Sequence, residues 1–185
     1  MRQQSRFHQW LWRFLVARTN ARIGALSILI GSFLACSSTH FDGKLYRRGD
    51  IAFTVGEKPS SWRHLDVSDA ALSFRDEAVQ ATIVIQGRCG MDGDDVPLES
   101  LTQHLFIYFT ERDIIEQKRI PMDGREAMRT VMVAKLDGVA RRFVVYVLKK
   151  DGCVYDFLYV GVSTPSQASV DAFDQYVAGF RTAKP

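Results

Sequence analysis

Residues 123–162 read DGREAMRTVMVAKLDGVARRFVVYVLKKDGCVYDFLYVGV, and this stretch decides the fold. Asp-Gly occurs three times at a spacing of fourteen residues, beginning at Asp123, Asp137 and Asp151. Asp-Gly is a favoured centre of a two-residue hairpin turn because both residues tolerate positive φ. The segments around these turns are rich in β-branched and aromatic residues, as strands are. The pattern predicts an antiparallel meander of four strands over 114–121, 125–135, 141–149 and 153–162.

Two of these predicted strands carry apolar side chains on both faces. Residues 143–148 read FVVYVL, and most of 153–162 is similarly apolar. Successive side chains of a strand point to opposite faces, so such strands are buried on both sides of their sheet. We therefore expect cover on both faces of the sheet, and helices are the available elements.

Two amphipathic helices are predicted, one before the meander and one after it. Over 97–110, leucines and a phenylalanine recur at i, i+3, i+7 and i+11, and Pro97 suits a first helical turn. Residues 164–167 read TPSQ, which is typical of a capping box with proline at the first helical position. Apolar residues then follow at helical spacing: Val170, Phe173, Val177 and Phe180.

The N-terminal half of the domain is predicted to be mostly strand. Residues 51–55, 72–75 and 81–86 have strand composition, and 59–62 reads as a turn. We expect Trp62 to cover the edge of the core. Residues 87–95 break every periodicity.

The first 36 residues differ in character from the rest. Residues 23–35 are thirteen apolar or small residues, the length of a signal-peptide hydrophobic region and short of the roughly 20 that a spanning helix needs. Five arginines and no acidic residue precede them, typical of the cytoplasmic end of a signal peptide. Residues 33–36, FLAC, resemble the lipobox of bacterial lipoproteins. This resemblance implies a diacylglycerol on Cys36, cleavage before it, and therefore attachment to a membrane.

The resemblance divides the chain into three parts: signal peptide 1–35, lipidated cysteine and tether 36–50, and one globular domain 51–182. It implies a bacterial cell envelope protein that faces the periplasm. Ser37 after the cysteine is similar to lipoproteins sorted to the outer membrane rather than the inner one. Two alternatives remain open, an uncleaved signal anchor and a secreted protein cut after Ala35. The arginines within the extended apolar segment disfavour the anchor, because charges inside a membrane span are costly.

The formal charge of +3 belongs to the leader. The chain has 24 Lys+Arg and 21 Asp+Glu, and removal of five leader arginines leaves 19 against 21, a net charge of −2. A nearly neutral domain of mixed sign gives no electrostatic reason to expect nucleic acid as a partner.

Cys89 and Cys153 remain as a pair once Cys36 is assigned to the lipid. An even pair in an oxidising compartment favours a disulfide. Closing the loop of about 65 residues would stabilise the fold by about 4 kcal/mol in the chain-entropy model. Two buried free thiols or a metal pair are the alternatives, and no CxxC or histidine spacing supports the metal.

The order of predicted elements resembles the PsbP-like fold, to which DcrB-like domains are similar. The match covers about residues 51–180: a strand, a turn with Pro59 and Trp62, paired strands, a helix, a long meander and a closing helix with Phe173 and Phe180. The resemblance implies an antiparallel sheet sandwiched by helices, an α/β/α sandwich. It also implies an accessory or partner-binding module rather than an enzyme, and it carries over no functional residue.

The sequence offers few groups for chemistry. Residues 92–95, DGDD, lack the later ligands of a calcium loop and read better as an acidic turn before a helix, so we expect no metal site. His64 and His104 are the histidines of the predicted domain, and no hydrolase, metalloprotease or nucleotide-binding motif accompanies them. We predict no catalytic residue and no cofactor.

Asp156 stands out because it lies in the apolar segment VYDFL. A buried carboxylate needs a partner, and Arg129, Arg141 or Arg142 on neighbouring strands could supply it. We interpret Asp156 as one half of a structural ion pair or as an edge residue, with a binding role as the alternative.

Two functional hypotheses follow from the sequence. The favoured one is a membrane-tethered periplasmic lipoprotein whose domain binds a ligand or an envelope protein without catalysis. The second is a small cell-envelope hydrolase that uses His104 or His64 with a nearby acid. A histidine and a carboxylate converging in one concave pocket would favour the second hypothesis.

Overall fold

Two antiparallel sheets and two helices make up residues 39–90 and 96–184, the part of the chain that this computed structural model describes. The larger sheet has the strand order β4-β5-β6-β10-β9-β8-β7, and the smaller has β1-β2-β3-β11. The strands are β1 (His40–Phe41), β2 (Leu45–Arg48), β3 (Ile51–Thr54), β4 (Trp62–His64), β5 (Leu72–Asp76), β6 (Ala81–Cys89), β7 (Thr110–Met122), β8 (Arg125–Leu136), β9 (Val139–Lys150), β10 (Cys153–Val162) and β11 (Arg181–Thr182). The helices are α1 (Leu98–Leu105) and α2 (Gln167–Ala178). The predicted α+β class is confirmed.

The Asp-Gly turns produce the predicted meander. In each turn both residues have positive φ, between 48° and 53° for aspartate and between 71° and 78° for glycine. Strands therefore meet across two-residue loops, with Met122 opposite Arg125 and Leu136 opposite Val139. The four predicted strands are confirmed as β7 to β10, and β10 has the predicted bounds.

Both faces of the larger sheet are covered, as the apolar strands required. On one face, α2 and the smaller sheet close a core whose largest wholly buried rings include Phe53, Phe157, Phe173 and Phe180. On the other face, α1 and the residues after it pack on β8, β9 and β10. The sequence predicted helical cover alone, whereas the smaller sheet supplies part of it.

The smaller sheet also corrects the predicted start of the domain. Residues 40–48, predicted as tether, form β1 and β2, with Tyr46 stacked on Phe53 at a centroid distance of 5.0 Å. Phe53 lies on β3 opposite Thr182 of β11, so both ends of the described chain meet in this sheet. A short, polar stretch such as 37–50 resembles a linker in sequence because Tyr46, the one buried side chain among its described residues, is followed by charged residues.

Both helices differ from prediction at their ends. Helix α1 ends at Leu105, and the N–H of Phe109 then bonds the carbonyl of Phe106 in a turn that leads into β7. The cap of α2 is Ser166, whose side chain accepts a hydrogen bond from the N–H of Ser169, so the predicted cap at Thr164 is wrong. Gln167 donates along its own helix to Asp171 instead of closing a capping box. Neither described helix has the length and apolar character needed to cross a membrane.

Strand β7 forms one border of the larger sheet and is irregular. Its register against β8 shifts between Thr110 and Asp113 and again between Ile114 and Glu116. Glu111, next to the first shift, has a φ of 49°. Such bulges bend a strand and interrupt its regular hydrogen bonding.

The end of α2 touches the segment after β3 backbone to backbone. The N–H of Gly56 bonds the carbonyl of Tyr176 at 2.8 Å. A Cβ on Gly179 would lie 2.3 Å from the nitrogen of Gly56 and 2.4 Å from its Cα. The φ of Gly179 is −79°, a value that any residue can adopt. Position 179 therefore needs glycine because there is no room for a side chain, and not because of its backbone conformation.

We predict that Gly179→Ala lowers the free energy of unfolding by about 1–3 kcal/mol, because one added methyl must displace backbone. Denaturant unfolding of the purified protein measures the change. Ala178→Ser, at the exposed neighbouring position, is the control and should stay within about 0.5 kcal/mol of wild type. Equal stabilities for Gly179→Ala and wild type would contradict the close contact.

Candidate functional site

The predicted disulfide is present. Cys89 ends β6, Cys153 begins β10, and the two residues lie directly opposite each other with sulfurs 2.02 Å apart. The bridge therefore joins the two neighbouring strands at which the N-terminal half of the larger sheet meets the meander. Of the three cysteines in the chain, Cys36 is left without a role in the described domain.

Some predicted features lie outside the described residues. These are Cys36, the signal peptide 1–35 and the acidic turn 92–95. Within 39–90 and 96–184, no three histidine, cysteine, aspartate or glutamate side chains are grouped so as to hold a metal ion.

His64 and His104 are the two histidines of which the hydrolase hypothesis requires one. His64 ends β4, is exposed, and contacts the ring of Phe74 edge-on at 5.9 Å. His104 is exposed in the last turn of α1. In the described part of the chain, neither histidine forms an ion pair or a hydrogen bond with an acid, so the geometry proposed for a hydrolase is not found there.

Asp156 is wholly buried and pairs with Arg88, which corrects the predicted partner. Its side chain lies on the α1 face of β10, and its Oδ2 is 2.7 Å from Nη2 of Arg88. The contact is an ion pair by distance, and neither carboxylate oxygen has a hydrogen-bond partner. Arg129, Arg141 and Arg142 do not reach it. Arg88 was overlooked because it falls in a stretch that the sequence indicated to be irregular, whereas β6 extends to Cys89.

Burial raises the pKa of Asp156 to about 6, and the Arg88 guanidinium opposes this increase. An aspartate in the unfolded chain titrates at about 3.8. The folded protein therefore holds this proton more tightly than the unfolded chain does. Its contribution to stability is complete below pH 3.8 and is lost as the pH rises through 6.

We predict that Asp156→Asn removes a pH dependence of stability. Between about pH 4 and pH 7, wild type should lose on the order of 3 kcal/mol relative to the variant, because only wild type ionises a buried group. Urea unfolding of both proteins across this pH range gives the difference between their free energies of unfolding. The contributions of the other carboxylates are the same in both proteins and cancel in this difference. Asp66→Asn, at an exposed position, is the control. Parallel curves for wild type and Asp156→Asn would show that this carboxylate does not titrate there.

A second polar cluster lies on the opposite face of the sheet, centred on Arg129 of β8. The guanidinium donates to Glu116 at 2.5 Å, to Asp174 at 2.9 Å and to the hydroxyl of Tyr146 at 2.9 Å. That hydroxyl donates in turn to the other oxygen of Asp174 at 2.8 Å. The cluster thereby ties β7, β8 and β9 to α2.

Two carboxylates neutralise the single charge of Arg129. Only 14% of the Arg129 side chain is exposed. Burial lowers the pKa of Arg129, but Tyr146 and Asp174 raise it by more, so the net direction is upward. Burial and the neighbouring Asp174 raise the pKa of the Tyr146 hydroxyl, against the effect of Arg129. Burial of Glu116 is outweighed by Lys118 and Arg129, so its pKa is lowered. Arg129 therefore has a structural role, and its charge is already satisfied.

A pocket of about 190 Å³ opens beside this cluster. Its floor is formed by Val131 and Val144, and Val170 of α2 forms one wall. Arg129 and Glu116 stand at one end. The remaining boundary is shared by residues from β7, β9 and the start of α2: Ile115, Arg142, Pro165 and Gln167.

Sequence reasoning left the binding residues unknown, and it did not identify this pocket. The pocket needs β7, β8 and β9 in register, since Glu116 lies opposite Val131 and Val131 lies opposite Val144. The bulge between Ile114 and Glu116 sets which of these side chains face α2. Arg129, Val131 and Val133 share one face of β8, because every second residue of a strand points to the same side. Their mixed polar and apolar character was a usable signal in the sequence.

Comparison with known proteins identifies the fold. No protein-family model and no curated protein matches the chain. A crystal structure from Bacteroides thetaiotaomicron VPI-5482 is similar with a TM-score of 0.55 and 12% identity, over 78% of this chain and 50% of that one. The chain thus spans half the length of that protein.

The solution structure of cyanobacterial PsbP from Synechocystis sp. PCC 6803 is similar with a TM-score of 0.52 and 13% identity. The similarity covers 86% of this chain and all of the cyanobacterial one. At this identity the likeness establishes the fold alone. The chain has a PsbP-like α+β sandwich, as the order of its predicted elements implied.

Proposed function

We propose that this chain is a lipoprotein of a bacterial cell envelope, held to the membrane by a lipid on Cys36, whose domain binds a ligand or an envelope protein without catalysis. The observation that carries the proposal is the Cys89–Cys153 bridge. Structural disulfides are rare in the reducing cytosol and persist in oxidising compartments such as the periplasm. Such a bridge therefore favours an exported chain, and residues 1–35 have the composition of an export signal.

The position of Cys36 supports the anchor. It directly follows the apolar segment, whereas the other two cysteines pair within the domain. Residues 37–39 would then be the link between the lipid and β1, because His40 already belongs to the smaller sheet. The lipid would hold the domain close to the membrane surface, and Ser37 favours the outer membrane.

A binding role without catalysis agrees with the polar groups of the described domain. The ionic clusters around Asp156 and around Arg129 are internal pairs that hold strands and α2 together. The pocket beside Arg129 combines aliphatic side chains with charged and amide groups, and its lining has no histidine, cysteine or serine. Such a lining suits recognition of a small molecule.

The anchor is tested by intact-mass measurement on the membrane fraction of a bacterial host that expresses the whole chain. We expect a species that begins at Cys36 and carries acyl chains. Cys36→Ser should lack the acyl mass, and Ser37→Ala is the matched control that keeps it. Retention of residues 1–35 would indicate a signal anchor, and an unmodified Cys36 at the N-terminus would indicate secretion. Either result contradicts the lipid anchor.

The disulfide is tested through stability. We predict that replacing both Cys89 and Cys153 by serine lowers the free energy of unfolding by about 2–5 kcal/mol, because the bridge restricts the unfolded chain. Denaturant unfolding under non-reducing conditions gives the value, with Cys36→Ser as the control that leaves it unchanged. Two alkylatable thiols on Cys89 and Cys153 in the exported protein would refute the bridge.

A further inference from the structure

We propose that the pocket between α2 and strands β7 to β9 binds a small monocarboxylate with a short aliphatic tail, with Arg142 as the carboxylate partner. The proposal rests on the proposed binding function and names the ligand class for its site. It depends on a difference between the two arginines of the pocket, on the apolar floor, and on the start of α2.

Arg142 is the arginine whose charge is not yet matched. Its Nε lies 3.4 Å from the carbonyl oxygen of Ser163, a long hydrogen bond to a neutral group. Among residues 39–90 and 96–184, no carboxylate lies within ion-pair distance of Arg142, whereas Arg129 contacts both Glu116 and Asp174. An arginine at the boundary of a pocket with unused donors is suited to a carboxylate, because guanidinium can bind both carboxylate oxygens.

The floor between the two ends of the pocket is aliphatic. Val144 is wholly buried, and Val131 and Val170 are each 9% exposed. Ile115 lies at the rim with 51% of its surface exposed. A ligand with its carboxylate on Arg142 would extend an aliphatic tail over these side chains. Burial of apolar surface would then add to the ionic contact.

The start of α2 favours the same polarity. Pro165 and Gln167 line the pocket, and the helix begins at Gln167. No acidic side chain occupies the first turn of α2, where the partial positive charge of the helix lies, and the nearest one in the helix, Asp171, accepts a hydrogen bond from Gln167. The one carboxylate of the lining, Glu116, is engaged by Arg129 and Lys118. The pocket therefore presents a positive end, an aliphatic floor and an opposite end whose charges are already paired.

The volume limits the ligand to a short chain. A pocket of about 190 Å³ is smaller than the roughly 300–1,000 Å³ typical of sites for drug-sized ligands. Hexanoate is a suitable probe, and hexanol is its neutral counterpart with the same tail. The difference between these two molecules isolates the contribution of the carboxylate.

The experiment is a titration of the full chain, purified in detergent with labelled valine methyl groups, with hexanoate and separately with hexanol. We expect hexanoate to shift the methyl resonances of Val131, Val144 and Val170 in a saturable way. Hexanol should bind at least about tenfold more weakly, since a hydrogen bond to a charged group contributes about 1.5–3 kcal/mol. Val160, half-buried on the other face of the sheet, reports non-specific binding.

The decisive variant is Arg142→Gln, which should weaken hexanoate binding at least about tenfold and leave hexanol binding unchanged. Arg142→Lys should recover part of the affinity, because it restores the charge without the planar pair of donors. The matched control is Arg141→Gln, the next residue of β9, whose side chain points to the opposite face. The folding of each variant is checked by its unfolding curve.

Three results would overturn the proposal: no saturable shift at Val131, Val144 and Val170, equal affinities for hexanoate and hexanol, or equal losses in the Arg142 and Arg141 variants. The lipid anchor is tested separately, by the intact-mass measurement described above. If Cys36 carries no lipid but hexanoate still binds, the proposed anchor fails and the pocket assignment stands. A lipidated chain that binds no hexanoate gives the reverse result.

Discussion

The structure depends on one constraint, that strands β9 and β10 must be buried on both faces. Val144 and Val145 are adjacent in the chain, point to opposite sides of the sheet, and are both wholly buried. Two separate apolar cores are therefore needed, and each requires its own cover. Helix α1 supplies one cover, and α2 with the smaller sheet supplies the other. The charged side chains of Asp156 and Arg129 lie under these covers, where Asp156 is paired with Arg88 and Arg129 with Asp174.

The pairing of charges follows from that arrangement. Arg129 ties the meander to α2 through Asp174, and Arg88 compensates the one carboxylate buried under the α1 face. Both pairs hold elements that are distant in sequence. Removing one partner of such a pair would leave a buried charge uncompensated, which is strongly destabilising. Arg142 differs from Arg129 and Arg88 because it lies between the sheet and α2 with no carboxylate of the described chain within ion-pair distance.

The sequence was sufficient for the elements whose signals are local. Repeated Asp-Gly turns determine the meander, and an even pair of cysteines predicted the bridge. Signals that depend on pairing between distant strands were not available.

Arg88 was not identified as the partner of Asp156 because β6 was expected to end before it. The predicted bridge already contained this information, since placing Cys89 opposite Cys153 in an antiparallel pair puts Arg88 opposite Val154, two residues from Asp156. The smaller sheet was missed because strands as short as His40–Phe41 and Arg181–Thr182 have no periodicity to detect.

The irregular border strand β7 has a consequence for how this domain behaves when many copies are crowded together. An unpaired sheet border is normally a template on which another chain can add a strand. Here two bulges interrupt the first half of the strand, and Pro121 removes a donor from the second half. Charged side chains occupy much of the strand between them: Glu111, Arg112, Asp113, Glu116, Lys118 and Arg119. Along this border, a neighbouring copy is therefore offered no long, regular row of hydrogen-bonding groups on which to add a strand.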